Sequence, residues 1–128
     1  MKVLVCGSRY YSDKDRVFAV LDSIDGIDCV VTGGCSGADT LGRQWAIERK
    51  KTWVVYEADW QKHATAAGPI RNKEMLHTEK PDLVIAFGSG KGTSNMLQLA
   101  WKAGYLTLAV PADGLSGLRP NTTLECPQ

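Results

Sequence analysis

Three segments of this 128-residue chain combine glycine with basic or hydroxyl side chains. Their members are Gly7, Ser8 and Arg9, then Gly33, Gly34, Ser36 and Gly37, and finally Gly88, Ser89, Gly90, Lys91, Gly92 and Thr93. Glycine lets backbone N–H groups come close to a phosphate, and the N-terminus of a following helix favours negative charge. Arg71 adds a third cation to Arg9 and Lys91, and it lies between Gly68 and Asn72. The pattern predicts a site for a phosphorylated small molecule.

Short apolar runs and helix-like stretches alternate along the first 110 residues and must position these segments. Strands are predicted over 2–6, 28–32, 52–56, 82–87 and 105–110. Helices are predicted from Ser12 or Asp13 through Ile24, over 37–50, from the turn at Pro69 to just before Pro81, and over 93–103. Near-continuously apolar strands separated by helices are typical of a parallel sheet covered on both faces. We therefore predict one doubly wound, Rossmann-like α/β domain over 1–110, followed by an irregular tail over 111–128.

The topology gives the glycine-rich segments a common place. Eight of the 13 glycines fall in loops that follow strands or open helices: Gly7, Gly33, Gly34, Gly37, Gly68, Gly88, Gly90 and Gly92. Ligands of open α/β sheets bind beyond the carboxyl ends of the strands, where these loops would meet. Any one such loop is also explained by a tight turn alone. Three on one sheet edge favour a binding crevice.

Composition excludes several classes of protein. Lys plus Arg is 15 and Asp plus Glu is 14, so a net charge of +1 disfavours a broad nucleic-acid surface but allows a small basic pocket. No segment approaches the ~18 apolar residues that span a membrane. The four cysteines show no metal-ligand spacing, and no metal or obligatory cofactor is expected. We expect a reduced, cytoplasmic protein without disulfides.

Familiar nucleotide motifs are incomplete here. The segment 88–93 reads GSGKGT, which lacks the Ser or Thr that follows the lysine of a P-loop. The first strand is followed by GSRYYS rather than GxGxxG, and no acidic residue suited to a ribose follows the second strand directly. Redox use of NAD is therefore disfavoured.

The ordered blocks GSR, VTGGCSGAD, ADW, AGPIRN and AFGSGKGT together resemble the YspA/YpsA-related branch of the SLOG superfamily, over about residues 1–110. The resemblance implies a Rossmann-like fold, a nucleotide-like or ADP-ribose-like ligand, assembly into homo-oligomers, and a bacterial or phage-infected cell. The superfamily includes LOG phosphoribohydrolases and DprA/Smf proteins. Arg71, Met75 and the glycines before Thr93 match LOG motifs, but Met96 stands where LOG enzymes carry a catalytic glutamate.

Other carboxylates are candidates for that catalytic role. Asp39 lies in the first turn of the second predicted helix, where it also suits the helix N-terminus. Asp59 is placed to bind ribose hydroxyls and Trp60 to stack on a base, although loop packing explains both equally well. Together with Arg71, these carboxylates are the catalytic candidates.

Three functions remain open at this stage. The first is a binding protein that holds a nucleotide-derived ligand as a sensor, or sequesters it as phage proteins do. The second is a nucleotide phosphoribohydrolase or related N-glycosidase. The third, a DprA-like nucleic-acid accessory protein, is disfavoured by the near-neutral charge.

Overall fold

A computed structural model describes residues 1–112, which form a parallel five-stranded sheet with helices on both faces. The elements in chain order are β1 (Lys2–Gly7), α1 (Lys14–Asp22), β2 (Cys29–Thr32), α2 (Ala38–Glu48), β3 (Thr52–Val55), α3 (Trp60–His63), a 3₁₀ turn (Ala64–Ala66), α4 (Ala67–Glu79), β4 (Leu83–Phe87), α5 (Lys91–Lys102) and β5 (Thr107–Val110). The predicted doubly wound Rossmann-like architecture is confirmed.

The strand order is β3-β2-β1-β4-β5, and every neighbouring pair is parallel. Along the chain, β2 and β3 are added on one side of β1, and β4 and β5 are then added on its other side. The direction in which strands are added therefore reverses between β1 and β4. At that point Gly7 pairs with Phe87. The loops after β1 and β4 therefore diverge at the carboxyl edge, where this class of sheet forms a crevice.

Two separate apolar clusters fix the helices to the sheet. On one face, Val17 of α1 and Trp45 of α2 pack with Val5 of β1. On the other, Met75 of α4 and Met96 of α5 pack with Leu4 of β1. Adjacent strand residues point to opposite faces, so β1 contributes to both clusters. The N-termini of α2, α4 and α5 are thereby held at the same edge of the sheet.

Several observed elements differ from the predicted ones. A short helix, α3, was not predicted because four residues are too few to show a helical period. Helix α4 begins at Ala67, two residues before Pro69, and α5 begins at Lys91 rather than at 93. Strand β5 begins at Thr107 rather than at 105.

The predicted tail over 111–128 falls outside the described residues from position 113 onward. Within residues 1–112, no helix is long and apolar enough to cross a membrane. The same part of the chain contains no group of three or more His, Cys, Asp or Glu side chains arranged to hold a metal ion.

Candidate functional site

The loop after β1 closes the N-terminus of α2. The Ala38 N–H donates to the Ser8 carbonyl at 3.1 Å, and the Ser36 hydroxyl donates to the Arg9 carbonyl at 3.1 Å. Gly37 has φ +75°, and a Cβ there would lie 2.3 Å from the Ser8 oxygen. Only glycine fits such a contact in that conformation. One of the first N–H groups of α2 is therefore already bonded to the protein's own backbone.

The Asp39 side chain folds back onto the β2–α2 loop and accepts hydrogen bonds from its backbone. Its Oδ2 accepts hydrogen bonds from the Gly33 N–H at 3.0 Å and the Cys35 N–H at 3.2 Å. The side chain is buried, and burial raises its pKa to about 6, although the two N–H donors and the nearby Arg71 charge act in the opposite direction. The carboxylate thus places negative charge at the start of α2, where it opposes a second anion.

Arg71 is buried beneath the β2–α2 loop rather than exposed on a rim. Its Nη1 donates to the Gly33 carbonyl, and its Nε donates to Asn72 Oδ1 at 2.9 Å. A Cβ on Gly33 would lie 2.7 Å from the centre of the guanidinium group, so that glycine admits the flat arginine head. Asn72 in turn donates to the Gly92 carbonyl at 3.2 Å and to Asn95 Oδ1 at 3.0 Å. This buried network connects the β2–α2 loop to the first turn of α5.

The N-terminus of α5 differs from that of α2 because its first N–H group is not bonded to the carbonyl of a neighbouring loop in the described structure. Within residues 1–112, no group accepts a hydrogen bond from the N–H groups of Lys91, Gly92 or Thr93. A Cβ on Gly92 would meet nothing within 4 Å. The first turn contains no acidic residue, and Lys91 is exposed. Open N–H groups, the helix dipole and a cation together form an anion-binding arrangement.

The remaining predicted residues lie at the same edge of the sheet and differ in how closely their neighbours pack against them. Gly7 packs β1 against β4, because a Cβ there would lie 2.1 Å from the Phe87 oxygen. Gly88 has φ +80° beside Ser8, and Ser89 is exposed. The Arg9 guanidinium lies over the Tyr10 ring, 5.3 Å from its centroid.

Beyond β3, Asp59 caps α3 by accepting from the Lys62 N–H at 3.1 Å. The ring of Trp60 is exposed and lies against Gly68, where its Cη2 would be 3.5 Å from an added Cβ. Gly68 thus leaves room for the ring at the start of α4. The structure places the exposed Trp60 ring next to that helix, whereas the Asp59 carboxylate caps α3.

Met96, which the motif resemblance aligns with the LOG glutamate, is fully buried in the cluster with Leu4 and Met75. It has no polar atom to position water. Neither Asp39 nor Asp59 replaces it freely, since backbone N–H groups already bond to both carboxylates.

Sequence reasoning missed a cleft of about 130 Å³ at the carboxyl ends of β2 and β3. Arg43, Thr40 and Glu57 line it along with Thr32 and Asp39. The rule that ligands bind beyond strand ends would have singled out Glu57, which follows β3 closely. Arg43 carried no such signal, because it lies inside α2, away from any strand end or glycine-rich loop in the sequence.

The fold and its glycine-rich carboxyl edge define a Rossmann-like domain. Residues 1–63 match the family described as YspA, cpYpsA-related SLOG. The Gene 61 protein of Mycobacterium phage D29 is 35% identical over 115 residues, which cover 80% of this chain and 90% of that protein. The chain belongs to the YspA-related SLOG family, and the resemblance noted from its motifs is confirmed.

Solved structures show the same fold at low identity. The DNA processing protein A (DprA) of Streptococcus pneumoniae matches with a TM-score of 0.73 and 18% identity, covering 93% of this chain and 53% of that one. This chain thus spans about half the length of DprA. A UDP-N-acetylglucosamine 2-epimerase matches with a TM-score of 0.56 and 19% identity, covering 86% of this chain and 33% of that one. These likenesses establish the fold alone.

Proposed function

We propose that the protein binds a phosphorylated, nucleotide-derived ligand of the ADP-ribose type, with a phosphate at the N-terminus of α5. The observation that carries the proposal is the open first turn formed by Lys91, Gly92 and Thr93. Three N–H groups without an acceptor in the described structure, next to an exposed lysine, favour an anion.

The surroundings of this turn support a rigid site. Asn72 donates to the Gly92 carbonyl and to Asn95, and it is itself held by Arg71. A buried, satisfied network of this kind fixes backbone geometry before a ligand arrives. Trp60, exposed beside Gly68, offers an aromatic face for a base at the same edge of the sheet.

The proposed activity is to hold the ligand rather than to hydrolyse it. Cleavage of an N-glycosidic bond needs a carboxylate near the anomeric carbon, and Met96 is buried where LOG enzymes carry theirs. A relative, the Gene 61 protein, comes from a phage, which is the setting in which we propose that such a protein sequesters a host signal.

Titration calorimetry with ADP-ribose tests the proposal. Lys91→Gln should weaken binding about fivefold at low salt, the effect of losing one exposed charge contact. Lys102→Gln, in the last turn of the same helix, is the matched control and should leave affinity unchanged. No binding of ADP-ribose, AMP or NAD by the unmodified protein would refute the proposal.

Mass spectrometry of the same mixtures separates binding from hydrolysis. The expected result is recovery of intact ADP-ribose, AMP and NAD after prolonged incubation. Free base or ribose 5-phosphate above a protein-free blank would instead support the phosphoribohydrolase alternative. Salt-sensitive retention of single-stranded DNA would favour the DprA-like alternative, which the net charge of +1 disfavours.

A further inference from the structure

The cleft at the ends of β2 and β3 contains a buried hydroxyl without a partner. Thr32 is 1% exposed, and within residues 1–112 nothing hydrogen bonds to its Oγ1. A buried hydroxyl left unpaired is unfavourable, and most buried polar atoms in proteins have a partner. Thr32 also lines the cleft, so a molecule bound there can supply the missing partner once the side chains that cover the hydroxyl shift slightly.

The other groups of the cleft define what that molecule must offer. Asp39 and Glu57 supply carboxylate oxygens, which accept hydrogen bonds. Within residues 1–112, both hydrogen bonds that Asp39 accepts go to Oδ2, and none reaches Oδ1. Arg43 supplies N–H donors, and its guanidinium lies over the Trp53 ring at 5.7 Å.

This combination favours neither a simple anion nor a simple cation. Two carboxylates repel a phosphate, whereas the guanidinium of Arg43 repels an ammonium group. The cleft places hydrogen-bond acceptors, the carboxylates, beside hydrogen-bond donors on Arg43. A neutral group that both donates and accepts hydrogen bonds matches this arrangement, and a sugar hydroxyl is such a group. The volume of about 130 Å³ equals roughly four water molecules, so it suits part of a sugar rather than a whole nucleotide.

We propose that this cleft binds the vicinal diol of a pentose, through the Thr32 hydroxyl and the carboxylates of Asp39 and Glu57. The inference rests on the proposed function and deepens it, because the pentose is then part of the phosphorylated ligand. Strands β2 and β4 lie two sheet positions apart, which is about 10 Å. A ligand with a diphosphate between two pentoses spans that separation, whereas phosphate and diol on one ring lie closer together.

Amide chemical-shift titrations test the diol subsite separately from the phosphate subsite. D-ribose and ADP-ribose should both shift the amides of Gly34 and Thr40. 2-Deoxy-D-ribose lacks one hydroxyl of the diol and should bind about three- to tenfold more weakly, the effect of one lost hydrogen bond. ADP-ribose, but not free ribose, should also shift the amides of Lys91 and Gly92.

Two substitutions at position 32 separate recognition from folding. Thr32→Val keeps the shape but removes the hydroxyl, so D-ribose and ADP-ribose affinity should fall about three- to tenfold while the melting temperature stays equal or rises. Thr32→Ser keeps the hydroxyl and should retain affinity. If Thr32 were purely structural, substitution by valine would not lower affinity while leaving the melting temperature unchanged or higher, and serine would not restore affinity.

The outcomes distinguish the two proposals. If ADP-ribose shifts the α5 amides while no ribose compound shifts Gly34 or Thr40, the diol subsite is wrong and the proposed function stands. If D-ribose shifts Gly34 and Thr40 but ADP-ribose binds nowhere, the cleft takes a free pentose and the proposed function fails. Equal affinity for D-ribose and 2-deoxy-D-ribose would overturn recognition of a diol.

Discussion

The loops that open α2 and α5 have similar compositions, yet their polar groups are used differently. Before α2, the Ala38 N–H bonds to the Ser8 carbonyl, and the Asp39 carboxylate collects two further N–H groups. Before α5, the N–H groups of Lys91 and Gly92 have no acceptor within residues 1–112. Glycine content alone therefore does not identify a phosphate site. The decisive property is whether the protein's own backbone already satisfies the donors.

The comparison also separates two uses of glycine. Gly37 is required by a close contact between loops, whereas Gly92 borders open space. The closed loop stabilises the fold, and the open loop is available to a ligand. Substitutions in the two loops should consequently affect different measurements, and we describe them from the largest expected effect to the smallest.

Gly37→Ala should cause the largest loss of stability. The new Cβ would lie 2.3 Å from the Ser8 oxygen at a φ of +75°, so both the loop and the helix start must shift. We expect the free energy of unfolding to fall by at least ~3 kcal/mol, measured by urea denaturation. The paired control, Gly92→Ala, meets no atom within 4 Å and should raise stability by ~0.5 kcal/mol. Similar losses in both variants would contradict the division into closed and open loops.

The pH dependence of stability should report the Asp39 carboxylate in the closed loop. Its folded pKa of about 6 lies above the ordinary 3.8, so the folded state binds the proton more tightly. This proton stabilises the fold fully below pH about 4, and the contribution is lost as pH rises through about 6, up to ~3 kcal/mol in all.

Asp39→Asn isolates this effect from other groups. A single oxygen, Oδ2, accepts both loop N–H groups, so the amide oxygen of asparagine can accept them too. The difference in unfolding free energy between the two proteins should therefore change between pH 4 and 6 and stay flat above pH 7. Asp22 and Glu79 have lowered pKa values, so their contributions have the opposite sign, vary mainly at lower pH and cancel in the difference. A flat difference over the whole range would mean that Asp39 titrates normally.

Arg71→Lys should weaken the link between the two loops. Lysine keeps the charge but cannot donate to the Gly33 carbonyl and to Asn72 in one fixed plane. We expect a loss of ~2 kcal/mol in unfolding free energy, together with weaker ADP-ribose binding, because Asn72 positions the start of α5. Lys73→Arg, at an exposed position of the same helix, is the control and should change neither quantity. Wild-type stability in Arg71→Lys would show that the buried network does not support the loops.

Thr32→Val should change stability less than Gly37→Ala and Arg71→Lys do, and with the opposite sign. Removing a buried hydroxyl that has no partner in the described structure should raise the unfolding free energy by ~1 kcal/mol. Thr32→Ser, which keeps the hydroxyl but loses a methyl group, should lower it slightly. A loss on substitution by valine would reveal a hydrogen bond to Thr32 in the folded protein.

Much of the fold could be predicted because its signals are local. Apolar runs indicated β1 through β5, and the glycines with Pro69 marked the loops between elements. The short helix α3 could not be predicted, since it depends on the single cap supplied by Asp59. The carboxyl edge followed from topology, because every parallel strand ends on the same side.

Whether a residue at that edge is buried and bonded depends mainly on contacts between segments that are distant in the sequence. Arg71 lies four residues before Met75, so it shares the buried side of α4, and this spacing was a signal that it would not be exposed. The closure of the α2 N-terminus depends on how β1 and α2 pack across the sheet. No local pattern in segment 33–37 distinguishes it from the open turn at 90–93.

Titration with inorganic pyrophosphate, followed by the amide signals of both loops, tests the central claim most directly. The open first turn of α5 should respond, with the largest shifts at Lys91, Gly92 and Thr93 and almost none at Ala38. Phosphate recognition would then rest on the donors that the fold leaves free. Largest shifts at Ala38 and its neighbours, or no response in either loop, would contradict the account.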